Sequence, residues 1–122
     1  MTQQTKLWKF QISGKVVPKA RPRFNGKTSY LPSNYRQWKE DAKTQLASQS
    51  IPDEPLEEVS VSITLSGKHS RRGDLDNLAG SILDALVASQ IIRDDNLKCV
   101  SGLSVQLNYS AKDDPTAQIT IE

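Results

Sequence analysis

Residues 59–66 alternate without a break. Val59, Val61, Ile63 and Leu65 are apolar, and Ser60, Ser62, Thr64 and Ser66 between them carry hydroxyls. A strand has period two, so this spacing gives it one apolar and one wet face. Such a strand belongs in a sheet covered on one side only. A helix just downstream can supply the cover: Leu75, Leu78, Ala79, Ile82, Leu83, Leu86 and Val87 repeat at i, i+3, i+4 and i+7, the spacing of an amphipathic helix.

The rest of the chain repeats these two patterns. Trp8, Phe10 and Ile12 alternate with Lys9, Gln11 and Ser13 as a strand, and residues 14–26 read as a loop or irregular extended segment. Pro32 and Ser33 open a helix running to about Ser48, with Tyr35, Trp38, Ala42 and Leu46 on its buried face. Residues 51–55 form a connector. Leu103, Val105, Leu107 and Tyr109 make a further strand, residues 112–115 a turn, and Ile119 and Ile121 a short last strand. The expectation is an α+β fold of order β-α-β-α-β-β, a mixed sheet of about four strands with two main helices packed on one face. The 122 residues match one domain, residues 1–122.

Only 36% of the residues are hydrophobic, against roughly 45–50% in a typical globular chain when glycine is counted. A chain of this size buries only about two-thirds of its unfolded surface, and dimerisation would supplement so modest a core. No apolar run approaches the roughly 18–20 residues of a membrane span, and residues 1–10 lack a signal peptide's apolar core. A soluble, intracellular protein of the cytoplasm is expected. The single cysteine, Cys99, excludes an internal disulfide and any multi-cysteine zinc site, and reads as buried or inert. His69 is the one histidine, so a two-histidine zinc site is excluded, and it reads as a solitary surface residue. No glycine-rich phosphate or dinucleotide loop occurs.

The net charge of +2 hides a division. Residues 1–50 carry ten basic and two acidic side chains, a net +8, whereas residues 51–122 carry six basic and twelve acidic ones, a net −6. Either a polyanion-binding segment adjoins an acidic one, or the two pair across the fold. Lys19, Arg21 and Arg23 alternate around Pro22, which favours an extended Arg21, so the three cations can form one stripe suited to a nucleic-acid backbone. Phe24, Tyr30 or Tyr35 could serve as stacking platforms, although Tyr35 and Trp38 fit the helix's buried face better. The competing reading is a flexible basic loop.

Asp74 and Asp76 stand where a polar stretch gives way to the apolar helix. Acids there cap free N–H groups and suit the helix dipole. Alternatively, two carboxylates one residue apart converge on a hard cation such as Mg²⁺. Asp94 and Asp95 come after the helix, as a solvated turn or as further ligands if the chain returns near the helix start. Arg71 and Arg72, just upstream of Asp74, either pair with these acids or neutralise phosphate oxygens.

These features together resemble the RusA family of Holliday junction resolvases, often phage- or prophage-borne. The likeness lies in residues 17–23 (Val-Pro-Lys-Ala-Arg-Pro-Arg), in 73–78 (Gly-Asp-Leu-Asp-Asn-Leu), in Leu83-Asp84-Ala85-Leu86 and in Ile92-Arg93-Asp94-Asp95. The resemblance implies an endodeoxyribonuclease that resolves four-way DNA by paired phosphodiester hydrolysis in recombination and repair. Asp74, Asp76 and Asp95 would be its catalytic, metal-binding carboxylates, Mg²⁺ its cofactor with Mn²⁺ as substitute, and a homodimer its working form. Lys19, Arg21, Arg23, Arg71 and Arg72 would bind DNA, and Asp84 would be a secondary or structural acid. Where the family commonly has a lysine, this chain has Gly80. Another cation, Arg72 or Lys98, would then serve, or the protein would be a weakly active or non-catalytic binder of branched DNA.

Overall fold

The structure, a computed structural model, describes residues 7–18, 23–24, 26, 29–30, 32–70 and 74–122. Its elements are β1 (Trp8–Ser13), β2 (Arg23–Phe24), β3 (Ser29–Tyr30), α1 (Ser33–Ala47), β4 (Val59–Gly67), α2 (Leu75–Ala88), β5 (Val100–Tyr109) and β6 (Thr116–Ile121). Four strands form one mixed sheet in the order β1-β6-β4-β5. β6 runs antiparallel to both neighbours, whereas β4 and β5 are parallel and are joined by α2 as the crossover. The α+β architecture and the order of the main elements are those the periodicities predict. The addition is β2 and β3, which pair Arg23 with Tyr30 and Phe24 with Ser29. Two residues per strand show no alternation, so the sequence reads that stretch as irregular.

The core lies on one side of the sheet. Phe10 and Ile12 of β1, Val59, Val61, Ile63 and Leu65 of β4, and Ala117, Ile119 and Ile121 of β6 are all buried, while Lys9, Gln11, Ser60, Ser62 and Gln118 are exposed. Against that apolar face α1 packs Tyr35, Trp38, Ala42 and Leu46, and α2 packs Leu78, Ile82, Leu83 and Leu86. Each fully buried Leu or Ile contributes about 1.5–3 kcal/mol of transfer free energy. α1 lies on β1, α2 beside β5, and the helices touch each other. Cys99 is buried, as expected. Among the described residues no helix is long and apolar enough to cross a membrane.

Two backbone features aim α2. Gly67 ends β4 at φ +93°, and a Cβ there would sit 2.3 Å from the Asp114 carbonyl oxygen, so only glycine fits. Ser110 N–H donates to the Gly67 carbonyl and Lys68 N–H to that of Asp113, which locks the exit from β4 against the 110–115 turn. At the far end of α2, Gln90 adopts φ 60° and Ile91 N–H donates to the Leu86 carbonyl, a Schellman closure. The chain then runs beside the start of β4: Leu56 N–H donates to the Ile91 carbonyl, Arg93 N–H to that of Leu56, and Val59 N–H to that of Cys99.

Candidate functional site

Asp74 occupies the N-cap of α2 in extended geometry, yet its side chain makes no capping bond. Among the described residues only its carbonyl is engaged, by the N–H groups of Asn77 and Leu78. Asp76 Oδ1 accepts the N–H of its neighbour Asn77 at 3.0 Å. Both residues are exposed. The capping alternative therefore fails for Asp74, whose carboxylate stands at the positive end of the helix dipole with no partner among the described residues.

The root of the basic segment is pinned to this same end of the molecule. Val16 N–H points at His69 Nδ1 at 3.5 Å, and His69 Nε2 lies 2.8 Å from the Thr116 carbonyl. A backbone donor on Nδ1 leaves the hydrogen on Nε2, which donates to Thr116. One residue on, Ser81 of α2 donates its hydroxyl to the Val17 carbonyl at 2.5 Å. His69 is thus buried, at 3% exposure, and not the surface residue the sequence suggests. It tethers β6, the exit from β4 and the segment leading to Lys19. Lys15 and Lys68 flank the Val16–His69 contact and are both exposed, two cations that lie outside every motif in the sequence. Ser81 did leave a signal, a polar residue within the stripe of Leu78, Ile82 and Ala85. Lys19, Arg21, Arg71 and Arg72, with the side chain of Arg23, lie outside the described residues.

Asp95 is elsewhere. It sits in the loop over 94–98, whose two ends are held beside Leu56 and Val59, at the start of β4. Asp74 comes after the end of β4. The fourteen residues of α2 lie between, about 21 Å at 1.5 Å per residue. A parallel crossover has to carry the chain back to the beginning of the preceding strand. The return to the helix start, on which a ligand role for Asp95 within one chain depends, does not take place. Among the described residues no three His, Cys, Asp or Glu side chains gather within reach of one metal ion. Asp94 is engaged inside its loop, accepting from Asp95 N–H at 2.7 Å and from Asn96 Nδ2 at 3.2 Å. Asp95 and Lys98 are exposed there.

Asp84 joins the two helices. Its Oδ2 accepts the Tyr35 hydroxyl at 2.6 Å and meets Lys39 Nζ at 3.1 Å. Burial, then the Asp84 carboxylate, push the Tyr35 phenol well above its ordinary value of 10.0, with Ser81 offsetting slightly. Tyr35 is fully buried and is no stacking platform. Positions 76, 80 and 84 share one helical face. That face does receive a cation, Lys39 from α1, one turn beyond Gly80.

The carboxylates of Asp74 and Asp76 are hard oxygen donors on an open helix end, a donor set that suits Mg²⁺ with water completing its sphere. The family model described as Endodeoxyribonuclease RusA matches residues 13–122, nearly the whole chain. No curated protein matches it.

Proposed function

Because the chain belongs to the RusA endodeoxyribonuclease family, we propose that it resolves four-way DNA junctions by paired, Mg²⁺-dependent phosphodiester cuts in recombination and repair, as a two-fold homodimer. One observation carries this reading: the exposed Asp74 and Asp76 carboxylates and the root of the basic segment, held by His69 and Ser81, belong to the same end of the molecule. The basic segment meets phosphate, and the carboxylates stand where a cut would be made.

Asp74 and Asp76 would hold the metal, with Asp95 as the remaining ligand and Mn²⁺ as a substitute. When bound, the ion supplies a nucleophilic water and charge neutralisation at the phosphate. Lys19, Arg21, Arg23, Arg71 and Arg72 grip the sugar–phosphate backbone, which supplies affinity without reading sequence. Lys15 and Lys68, both exposed, add charge at the root of the basic segment. One acidic set makes one cut, so symmetrical resolution calls for two sites related by a two-fold axis. The separation of Asp95 from Asp74 along α2 favours the same arrangement, because a second copy can bring its own Asp95 to the first copy's helix end.

The test is a synthetic four-way junction incubated with purified protein and Mg²⁺ or Mn²⁺. Paired nicks by the wild type are expected, with binding but no nicks by Asp76→Asn, which removes a ligand charge and almost no volume. Binding by the wild type without nicks under either metal would make this a junction-binding protein and refute the enzyme. Wild-type nicking by Asp76→Asn would remove the aspartate from the mechanism.

A further inference from the structure

The two edges of the sheet are treated in opposite ways. Along β1, two glutamines beside it, Gln45 in α1 and Gln49 just beyond, imitate a neighbouring strand. Gln49 accepts from Gln11 N–H at 2.9 Å and donates to the Gln11 carbonyl at 2.7 Å, and Gln45 does the same for Ser13 at 2.7 and 3.0 Å. That edge is closed to further pairing. No comparable cover lies along residues 101–108 of β5 among the described residues. Exposed edges are usually protected by lysine, proline or a short strand, yet β5 is ten residues long and carries no charge and no proline.

β5 also presents an apolar row. Leu103, Val105, Leu107 and Tyr109 pair with Val61, Ile63, Leu65 and Gly67, so they lie on the helix side of the sheet. The helices cover this row only in part: Val105 and Leu107 are half-buried against the core, whereas Leu103 is 47% and Tyr109 37% exposed. The row is symmetric about Gln106. An antiparallel copy of β5 centred there sets Leu103 opposite Tyr109 and Val105 opposite Leu107, with the polar Ser104 and Asn108 paired on the other face. The same register carries the loop with Asp94, Asp95 and Lys98 toward the turn with Lys112, Asp113 and Asp114 of the other copy, so the apolar row ends in polar, mixed-charge segments on both sides.

We propose that the outer edge of β5 is the docking surface for a second copy of this chain, antiparallel about a two-fold axis at Gln106. The proposal rests on the homodimer in the functional reading and deepens it by naming the surface. An antiparallel arrangement puts the start of one β5 beside the end of the other. It therefore brings the 94–98 loop of one copy to the end at which α2 begins in its partner. Leu97, 88% exposed in that loop, then meets the region of Leu75, 41% exposed in the first turn of α2. Of the six large apolar residues exposed among the described ones, Leu103 and Tyr109 stand in the β5 row, and Leu97 and Leu75 belong to the two segments that this arrangement would bring together.

The full-length protein tests this by sedimentation and by crosslinking. Leu103→Glu puts a charge into the row at an already exposed position, and conversion of the wild-type dimer to monomer is expected, with circular dichroism unchanged. Independently, Gln106→Cys should form a disulfide-linked dimer under mild oxidation, because opposite residues of paired strands bring their Cβ atoms to about 4.5–5.5 Å. Gln118→Cys, exposed on the central strand β6, should not. A wild-type dimer that persists in Leu103→Glu and fails to crosslink through Gln106→Cys overturns the β5 surface and leaves the homodimer standing. A wild type monomeric at every concentration overturns both.

Discussion

Replacing Ser81 with alanine separates what holds the basic segment from what binds DNA. The hydroxyl is fully buried and donates 2.5 Å to the Val17 carbonyl, with Asn77 O at 3.2 Å as its second neighbour. Its loss leaves the Val17 carbonyl without that donor, a cost of about 1–3 kcal/mol when the group stays dry. Val17 is half-buried, so water can reach it in part and the lower end applies. Alanine's better helix propensity returns a few tenths of a kcal/mol. The expected loss of stability is about 1 kcal/mol, read from urea unfolding as a lower midpoint at unchanged slope. The consequence for binding is distinct. Freeing one or two residues at the root of the segment adds about 1 kcal/mol of ordering entropy to complex formation, so Kd for a four-way junction should rise about fivefold. The cations themselves remain, so the dependence of log K on log salt should keep its slope. Affinity unchanged despite the loss of stability would show that the Ser81–Val17 bond plays no part in presenting the segment. A shallower salt slope would mean that phosphate contacts themselves were lost, and would refute the separation.

Three other perturbations have defined outcomes. Arg21→Ala and Arg23→Ala should each weaken junction binding and lower the salt slope by about one unit, measured by titration across salt concentrations; an unchanged slope would mean that the stripe does not touch DNA. His69→Phe keeps a planar aromatic ring, somewhat larger than imidazole, but removes the partners of Val16 N–H and the Thr116 carbonyl, so a loss of about 2 kcal/mol or more is expected in thermal or urea unfolding. The Tyr35 phenol is raised in the folded state, so its stabilising share is complete below pH 10 and is lost as pH rises toward the folded value. Stability should fall above pH 10 by up to about 1.4 kcal/mol per pH unit from this group, and Tyr35→Phe should flatten that fall.

The sequence alone determined the elements and their faces. Alternation through residues 59–66 and the helical spacing from Leu75 to Val87 are local properties, since each depends only on where successive side chains point. They therefore carried the strands, the helices, the buried face of α1 with Tyr35 and Trp38, and the one-sided sheet into the fold unchanged. The acidic motif was legible only through its resemblance to the family, since local spacing left Asp74 and Asp76 equally open to capping. What only the tertiary structure decided is where the chain comes back. Nothing within residues 89–99 states that they return to the start of β4. That outcome is a consequence of the parallel pairing of β4 with β5 and places Asp95 a helix length from Asp74. The burial of His69 depends equally on distant partners, 53 residues away at Val16 and 47 at Thr116. The absence of a capping bond from the Asp74 carboxylate is likewise a matter of backbone geometry at a junction that composition describes only as favourable to caps. Periodicity fixes which side of an element is dry, whereas the meeting of two elements is set by register and crossover, which no local spacing encodes.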